Sequence, residues 1–567
     1  MTIPARTVAN LAVVFACSLL CLTAAAEDWP RFRGAAGAGV SSKAAPTAWS
    51  DSANLAWKTE LPGPGASSPI IIGDKVFITC YSGYGKSQES PGDIENLKRH
   101  LVCVDMKTGK KVWQKDVKAV MPEDKYTGAG VPAHGYASHT PVSDGKNIYA
   151  FFGKSGVHAF DMTGKELWQA DVGKESDPTR WGSSSSPVLY KDTVIVTASA
   201  ESQSIVGIDR NSGKELWRQE AAGLDGMWGT PSLVKVDDDR TDLVMVVAKE
   251  LWGLDPDNGK MRWFADATEA RHAYTSILHE GKRVYAFTGR GGGSIAVDAG
   301  GEGNVSETKT AWTGRDAASF ATPVRHKGKI YLVAGGILTI VDAESGKRVD
   351  RMRLKGMKKT GGQFGTLEYA SPIVVGDHLY YMSGRGQMYV FKLGEKTELV
   401  SVNQVTKDTE IFWGSPSASD GRIIMRSQNH LYCVADKGET VEKGEDSEED
   451  AEAIDPNEEE AENPRGRGGR GGRGGGGGAR TPEAIFKRFD TNEDGSISAD
   501  ELEGNANADR IKGMDKDGDD AVSMEEFTTG LAALQRNGGG GGRGRGGAAA
   551  PKRPERPQRP AMSKSDG

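Results

Sequence analysis

Near the C-terminal end of this 567-residue chain, oxygen-bearing side chains recur at a spacing that suits a hard cation. In the stretch DTNEDGSISADE, Asp490, Asn492, Asp494, Ser496, Ser498 and Glu501 fall at positions 1, 3, 5, 7, 9 and 12 of a twelve-residue loop, with Gly495 at position 6. Ca²⁺ takes about seven oxygens at roughly 2.3–2.6 Å, and alternate residues of such a loop point inward. The acid at position 12 delivers two oxygens, Ser496 gives its carbonyl, and Ser498 acts through water. Further on, DKDGDDAVSMEE repeats the set with Asp515, Asp517, Asp519, Ala521 (through its carbonyl), Ser523 and Glu526. Asp520 stands at position 6 there. The bend needs a positive φ, which Asp adopts at a cost of about 1 kcal/mol, so the second site is expected to be the weaker one.

Two loops in matching register have the spacing of an EF-hand pair over residues 481–535. The stretch PEAIFKRF reads as the entering helix, and Ile497 and Val522, each at position 8, should pair across a short two-strand bridge. Phe486, Phe489, Leu502, Ile511, Met514, Phe527 and Leu531 are the expected core. About 55 residues make a small core, so two bound Ca²⁺ ions should supply much of the folding energy. Residues 439–480 read as a disordered linker: thirteen Asp/Glu against one Lys between Glu439 and Glu462, then an RGG tract. Residues 536–567, rich in Gly, Arg and Pro, read as a disordered tail.

The bulk of the chain is organised by a different unit. Cys103 to Trp113, CVDMKTGKKVW, recurs around Asp209–Gly213–Trp217 and Asp255–Gly259–Trp263, and one residue shorter around Asp161–Gly164–Trp168. Each copy reads as a strand end, a tight turn in which Asp accepts from amides and Gly takes positive φ, and a Trp opening the next strand. A second landmark, Ser/Thr-Pro before an apolar strand, falls at Pro69, Pro141, Pro187, Pro231, Pro323, Pro372 and Pro416, with Ser276 where one more is due. A period of roughly 45 residues with several short strands per unit is that of a propeller blade. Eight starts give an all-β, eight-bladed β-propeller over residues 27–438, with Leu55–Leu61, carrying Trp57, completing the last blade and closing the ring.

The small-x-Asp-x-x-[Thr/Ser]-Gly-x-x-x-Trp unit resembles the tryptophan-docking repeat of pyrroloquinoline quinone (PQQ) propellers. That family includes quinoprotein alcohol dehydrogenases and a non-enzymatic lipoprotein of outer-membrane β-barrel assembly. The resemblance covers roughly Asp28–Asp436. With the opening DWPRFRG and the acidic, Gly-rich and calcium-loop segments, the chain looks most like exported PQQ-like repeat proteins of planctomycete-type bacteria. The resemblance brings two alternatives, a PQQ-dependent dehydrogenase and a propeller that only binds. The dehydrogenases carry a vicinal Cys-Cys disulfide, whereas the closest mature cysteines here are Cys80 and Cys103. Their calcium-ligating and catalytic acids are not recognisable either, so PQQ is not expected and catalysis is the secondary reading.

Aromatic residues recur three positions before the Pro landmark, at Trp228, Phe320, Tyr369 and Trp413, and Tyr274 and Trp181 fall at related places. These should approach the central channel, either as a plug, which is the favoured reading, or as a stacking pocket for a sugar, quinone or peptide side chain. Two insertions in the first unit, 82–100 and 119–138, read either as binding surface or as decoration. His134 and His139 read as a surface loop pair, and the Gly-rich Arg290–Ser294 as no phosphate cradle. Residues 1–26 read as a cleaved signal peptide, with Arg6, the apolar run Leu11–Leu22 and Ala24–Ala26. No membrane span is expected after cleavage. The expected protein is thus exported to the periplasm, cell envelope or outside. It binds calcium and acts as a scaffold for an unidentified protein or glycan at the propeller face. Nucleic acid is not an expected partner.

Overall fold

The computed structural model describes residues 27–440 apart from 129, 290–291 and 359–367, then 451–454, most of 486–529, and 556–558. Residues 1–26, which the sequence reads as a signal peptide, Leu531, most of PEAIFKRF and most of the acidic, RGG and tail segments lie outside the described residues. The chain divides into two compact units: Met1–Glu459 with Arg553–Gly567, and Glu460–Lys552.

The first unit is an eight-bladed propeller of antiparallel sheets. Blade 1 runs Ile70–Ile72, Lys75–Ser82, Lys98–Asp105 and Lys111–Lys118 from inner to outer strand. Six more blades follow, the fifth opening just after Ser276. Blade 8 takes three strands from residues 417–435 and its outer strand, Leu55–Glu60, from the front of the chain. Trp57 there lies opposite Cys433. The ring is closed as the sequence requires.

The repeat residues act between blades. Four outer-strand indoles reach over to the next blade's turn: Trp57 Nε1 donates to Met106 O (3.0 Å), Trp113 to Met162 O (3.1 Å), Trp168 to Arg210 O (2.9 Å) and Trp312 to Ala343 O (3.0 Å). The turn glycine is the floor for that indole. At Gly109 (φ +72°) an added Cβ would lie 2.6 Å from Trp57, and at Gly346 (φ +70°) 2.5 Å from Trp312, so both chirality and contact demand glycine. Blade 4 departs from the pattern. Trp263 turns into its own sheet and donates to Asp242 (2.7 Å), because the fifth unit's turn, Asp298-Ala-Gly-Gly, lacks the docking sequence.

The segment that begins at Glu27 crosses the ring as an arm. Trp29 bridges to Ile71 of blade 1, and Val40–Ser41 runs parallel to Val374–Val375 of blade 7. Between them the buried Arg33 guanidinium donates to carbonyls of Thr322, Pro323 and Pro372. Cys80, Cys103 and Cys433 are free and buried, and burial pushes the Cys103 thiol up to about 12.

Two expectations of disorder are corrected. Ala451–Ile454, within the acidic run, adds a fifth strand to blade 6, with Glu452 opposite Arg353 on an outer strand that carries three arginines. Arg556–Gln558, within the tail, docks on blade 4. Both corrections have one cause. A short segment with little structure of its own is ordered where the propeller offers a complementary edge or charge.

Candidate functional site

The six channel aromatics form a chain of ring contacts. Centroids lie 6.1 Å apart for Trp181–Trp228, 5.2 Å for Trp228–Tyr274, 5.0 Å for Tyr274–Phe320, 4.9 Å for Phe320–Tyr369 and 6.0 Å for Tyr369–Trp413. Trp228 and Tyr274 are stacked at 13°, and the following pairs meet edge to face. They do not plug the channel. They wall a cavity of about 820 Å³, open mouth included, with Phe32 of the arm also in its lining.

A collar of hydroxyls shares the lining: Ser68, Thr140, Ser186, Thr230, Ser276, Thr322, Ser371 and Ser415, one per blade. Seven amide-to-hydroxyl bonds of 2.9–3.0 Å join successive blades, from Ser68 N to Thr140 Oγ1 round to Ser371 N to Ser415 Oγ. In six of the seven the donor residue precedes proline and is held extended, which aligns its amide with its neighbour; Ser276, before Ile277, makes the same bond. The seven hydroxyls from Thr140 to Ser415 accept through oxygen, so each keeps a proton to donate. At the seam the buried Arg426 donates to Thr79 O (3.0 Å) and Ser67 Oγ (3.3 Å). Among the described lining residues there is no Asp, Glu, Lys or Arg, and His134 is the one group besides tyrosines that titrates.

His134 Nε2 donates to Trp181 O (2.5 Å), so its Nδ1 accepts from Ser138 Oγ (2.5 Å), and burial lowers its pKa. The two histidines are therefore not a surface pair. The insertions fold together around Tyr81, Tyr84, Tyr126 and Tyr136, drawing His139 inward. A charged layer the sequence did not reveal surrounds them. Arg99 pairs with Glu123 (2.5 Å), and Lys154 with Asp124 (3.3 Å). His139 Nε2 meets Ser183 Oγ (3.0 Å), which meets Glu201 Oε1 (2.6 Å). Burial pushes the Glu201 carboxyl up to about 7 and pulls His139 down to about 3. Glu201 reads in the sequence as an ordinary turn acid, and only its place beneath the insertions changes that.

In the second unit the two loops come together. Ser496–Ser498 pairs antiparallel with Ala521–Ser523, Ile497 opposite Val522. The small core holds Phe486, Phe489, Leu502, Ile511, Met514 and Phe527. Glu501 Oε2 accepts from Ser498 N and Oγ (both 2.9 Å), and Asp490 from Asp494 N (3.1 Å) and Gly495 N (3.0 Å). Asn492 Oδ1 accepts from Asp494 N (2.9 Å), and Asp494 Oδ1 from Ser496 N (2.9 Å). In the second loop, carboxylate oxygens of Asp515, Asp517 and Asp519 lie within 4.8 Å of one another. Glu526 accepts from Lys516 N (2.8 Å) and Ser523 Oγ (2.8 Å), and amide donors hold it at about 2. Gly495 (φ +89°) and Asp520 (φ +63°) both take the bend required at position 6. An all-oxygen, mostly anionic donor set fits a hard divalent cation.

A profile of the PQQ-repeat family described as outer membrane protein assembly factor BamB matches residues 38–263 and 201–443. The chain belongs to this family. An EF-hand profile matches residues 483–504. Among curated relatives of this BamB-type propeller, tetrathionate hydrolase of Acidithiobacillus ferrooxidans is 23% identical over 352 residues, 49% of this chain, which spans 66% of that protein's length. A probable calcium-binding protein of Arabidopsis thaliana is 48% identical over 56 residues, 8% of this chain and 68% of that one. Solved structures with similar backbones include BamB from Moraxella catarrhalis (13% identity, TM-score 0.48, 68% of this chain and 99% of that one). A europium-containing methanol dehydrogenase is also similar (12% identity, TM-score 0.44, 70% and 89%). Among the described residues no helix is long and apolar enough to cross a membrane.

Proposed function

We propose that this chain is an exported calcium-binding recognition module of the periplasm or cell envelope, whose propeller takes a neutral, hydroxyl-rich ligand in the aromatic cup. The observation that carries this reading is the lining itself: six contacting rings, eight collar hydroxyls and, among the described residues, no Asp, Glu, Lys or Arg. Ring faces match the C–H face of a sugar, and the collar supplies donors and acceptors for its hydroxyls. Two Ca²⁺ ions, held by the acids at positions 1, 3, 5 and 12 with Asn492, Ser496, Ser498, Ala521 and Ser523, would fix the fold of the second unit. Extracellular calcium is abundant enough to fill sites with dissociation constants of roughly 10⁻⁴ M, which favours constitutive over switching use.

The dehydrogenase reading fits the cup less well. PQQ is a tricarboxylate, and burying three carboxylates calls for cations that the described lining does not offer. Purified protein should be screened on a glycan array and titrated with PQQ while the quinone absorbance is followed. The proposal expects saccharide binding that weakens about tenfold or more in Trp228→Ala and Tyr274→Ala, with no stoichiometric quinone uptake. Saccharide binding indifferent to both variants would move the site elsewhere, and stoichiometric PQQ binding would overturn the reading.

A further inference from the structure

Glu250 opens the third strand of blade 4, Glu250–Leu254, and is 1% exposed. No other blade begins its third strand with an acid. A carboxylate this deeply buried needs a charge partner, and its own blade supplies a neutral one, the Trp252 indole N–H (2.9 Å). The cation comes from the far end of the chain. Arg556 Nε donates to Oε2 (2.9 Å) and Nη2 to Oε1 (2.5 Å), a two-pronged fork. The guanidinium carbon lies 3.5 Å from the centroid of the Phe264 ring. Pro557 is buried beside it, and Gln558 O accepts from Met261 N (2.9 Å) at the start of the outer strand. Carboxylate, aromatic lid, proline contact and backbone donor together make a built pocket.

We infer that this blade-four pocket is a receptor for arginine-proline peptide, filled here by the chain's own tail. The Arg-Pro dipeptide occurs three times in the chain, at Arg553, Arg556 and Arg559, at a spacing of three. A peptide of this sequence in polyproline II, at three residues per turn, would present three guanidinium groups on one face and be stiff before it binds. A stiff ligand loses less freedom on docking. The tether keeps the tail at high effective concentration, so the pocket is occupied in cis.

The test uses the full chain with Arg553, Arg556 and Arg559 all replaced by Ala, and a fluorescein-labelled peptide of residues 551–561 as the probe, read by anisotropy. The variant should bind the peptide, and the unmodified chain at least tenfold more weakly because its own tail competes. Adding Glu250→Gln to the variant should cost a further tenfold or more, as should replacing the peptide arginines with lysine, which keeps the charge and loses the fork. Sedimentation should find the unmodified chain monomeric. Equal peptide binding by both chains, no binding by a variant with unchanged circular dichroism, or indifference to Glu250→Gln would overturn the inference. A concentration-dependent dimer lost in the triple-Ala variant would replace occupation in cis with exchange of tails between two copies.

Discussion

Replacing Trp57 with alanine strikes the ring where it closes. The side chain is 8% exposed, its indole covers Gly109 of blade 1, and its N–H is bonded to Met106 O at 3.0 Å. Truncating a buried Trp costs about 3–5 kcal/mol, and leaving the Met106 carbonyl unpaired adds about 1 kcal/mol or more. Unfolding entropy of about 2.1 cal/mol/K per residue over roughly 400 propeller residues makes 4–6 kcal/mol equivalent to about 5–7 °C in melting temperature. Trp168→Ala is the matched control. Its indole makes the same contact inside the ring, with Arg210 O at 2.9 Å and Gly213 beneath. Scanning calorimetry should give similar shifts for the two. Only Trp57→Ala should also associate as concentration rises, because loosening Leu55–Glu60 bares the edge of His430–Ala435. A shift under about 1 °C for Trp57→Ala, or equal association by both variants, would refute the argument that this strand seals the ring.

Calorimetric titration with Ca²⁺ should resolve two binding events, both lost in Glu501→Ala with Glu526→Ala, since each removes the two-oxygen ligand at position 12. Asp520→Gly should relieve the positive φ at no cost in ligands and tighten the second site by about fivefold, the equivalent of about 1 kcal/mol. Glu201 carries its own pH signature. Its folded pKa of about 7 lies above the unfolded 4.5, so the folded state holds the extra proton and stability falls as pH rises from about 4.5 to 7, by up to about 3 kcal/mol. His139, at about 3 when folded, runs the other way: its stabilisation is lost as pH falls below 6.5. Glu201→Gln should therefore gain on the parent as pH rises between about 4.5 and 7 in urea melts, and a pH-independent difference would show that Glu201 does not titrate there.

The propeller was legible because most blades solve the same contact with the same residues. A Trp needs a glycine beneath it, and a hydroxyl before proline meets its neighbour's amide, so chemistry and period coincide. The calcium loops were legible because coordination geometry dictates spacing residue by residue. The cup was half legible. Spacing placed Trp228, Phe320, Tyr369 and Trp413 at the channel, but whether six rings fill a hole or wall it depends on the ring's diameter and on where Phe32 ends up. His134, His139 and Glu201 were misjudged or overlooked because their burial is decided by how the two insertions fold against each other. Arg556 was invisible for a related reason. Nothing in Arg-Pro predicts docking until Glu250 is known to be buried and short of a cation.

The seal between Leu55–Glu60 and His430–Ala435 also sets a timetable. Its two halves stand about 380 positions apart, so at 5–20 residues per second the first is made about 20–75 s before its mate. Through that interval the growing sheet assembly has an unguarded flank at each end. Whatever escorts the nascent chain must keep both from finding strangers, and a circular permutant beginning at the loop before Ile70, with the old ends joined, would cut the separation to roughly 190 positions and the wait by about half.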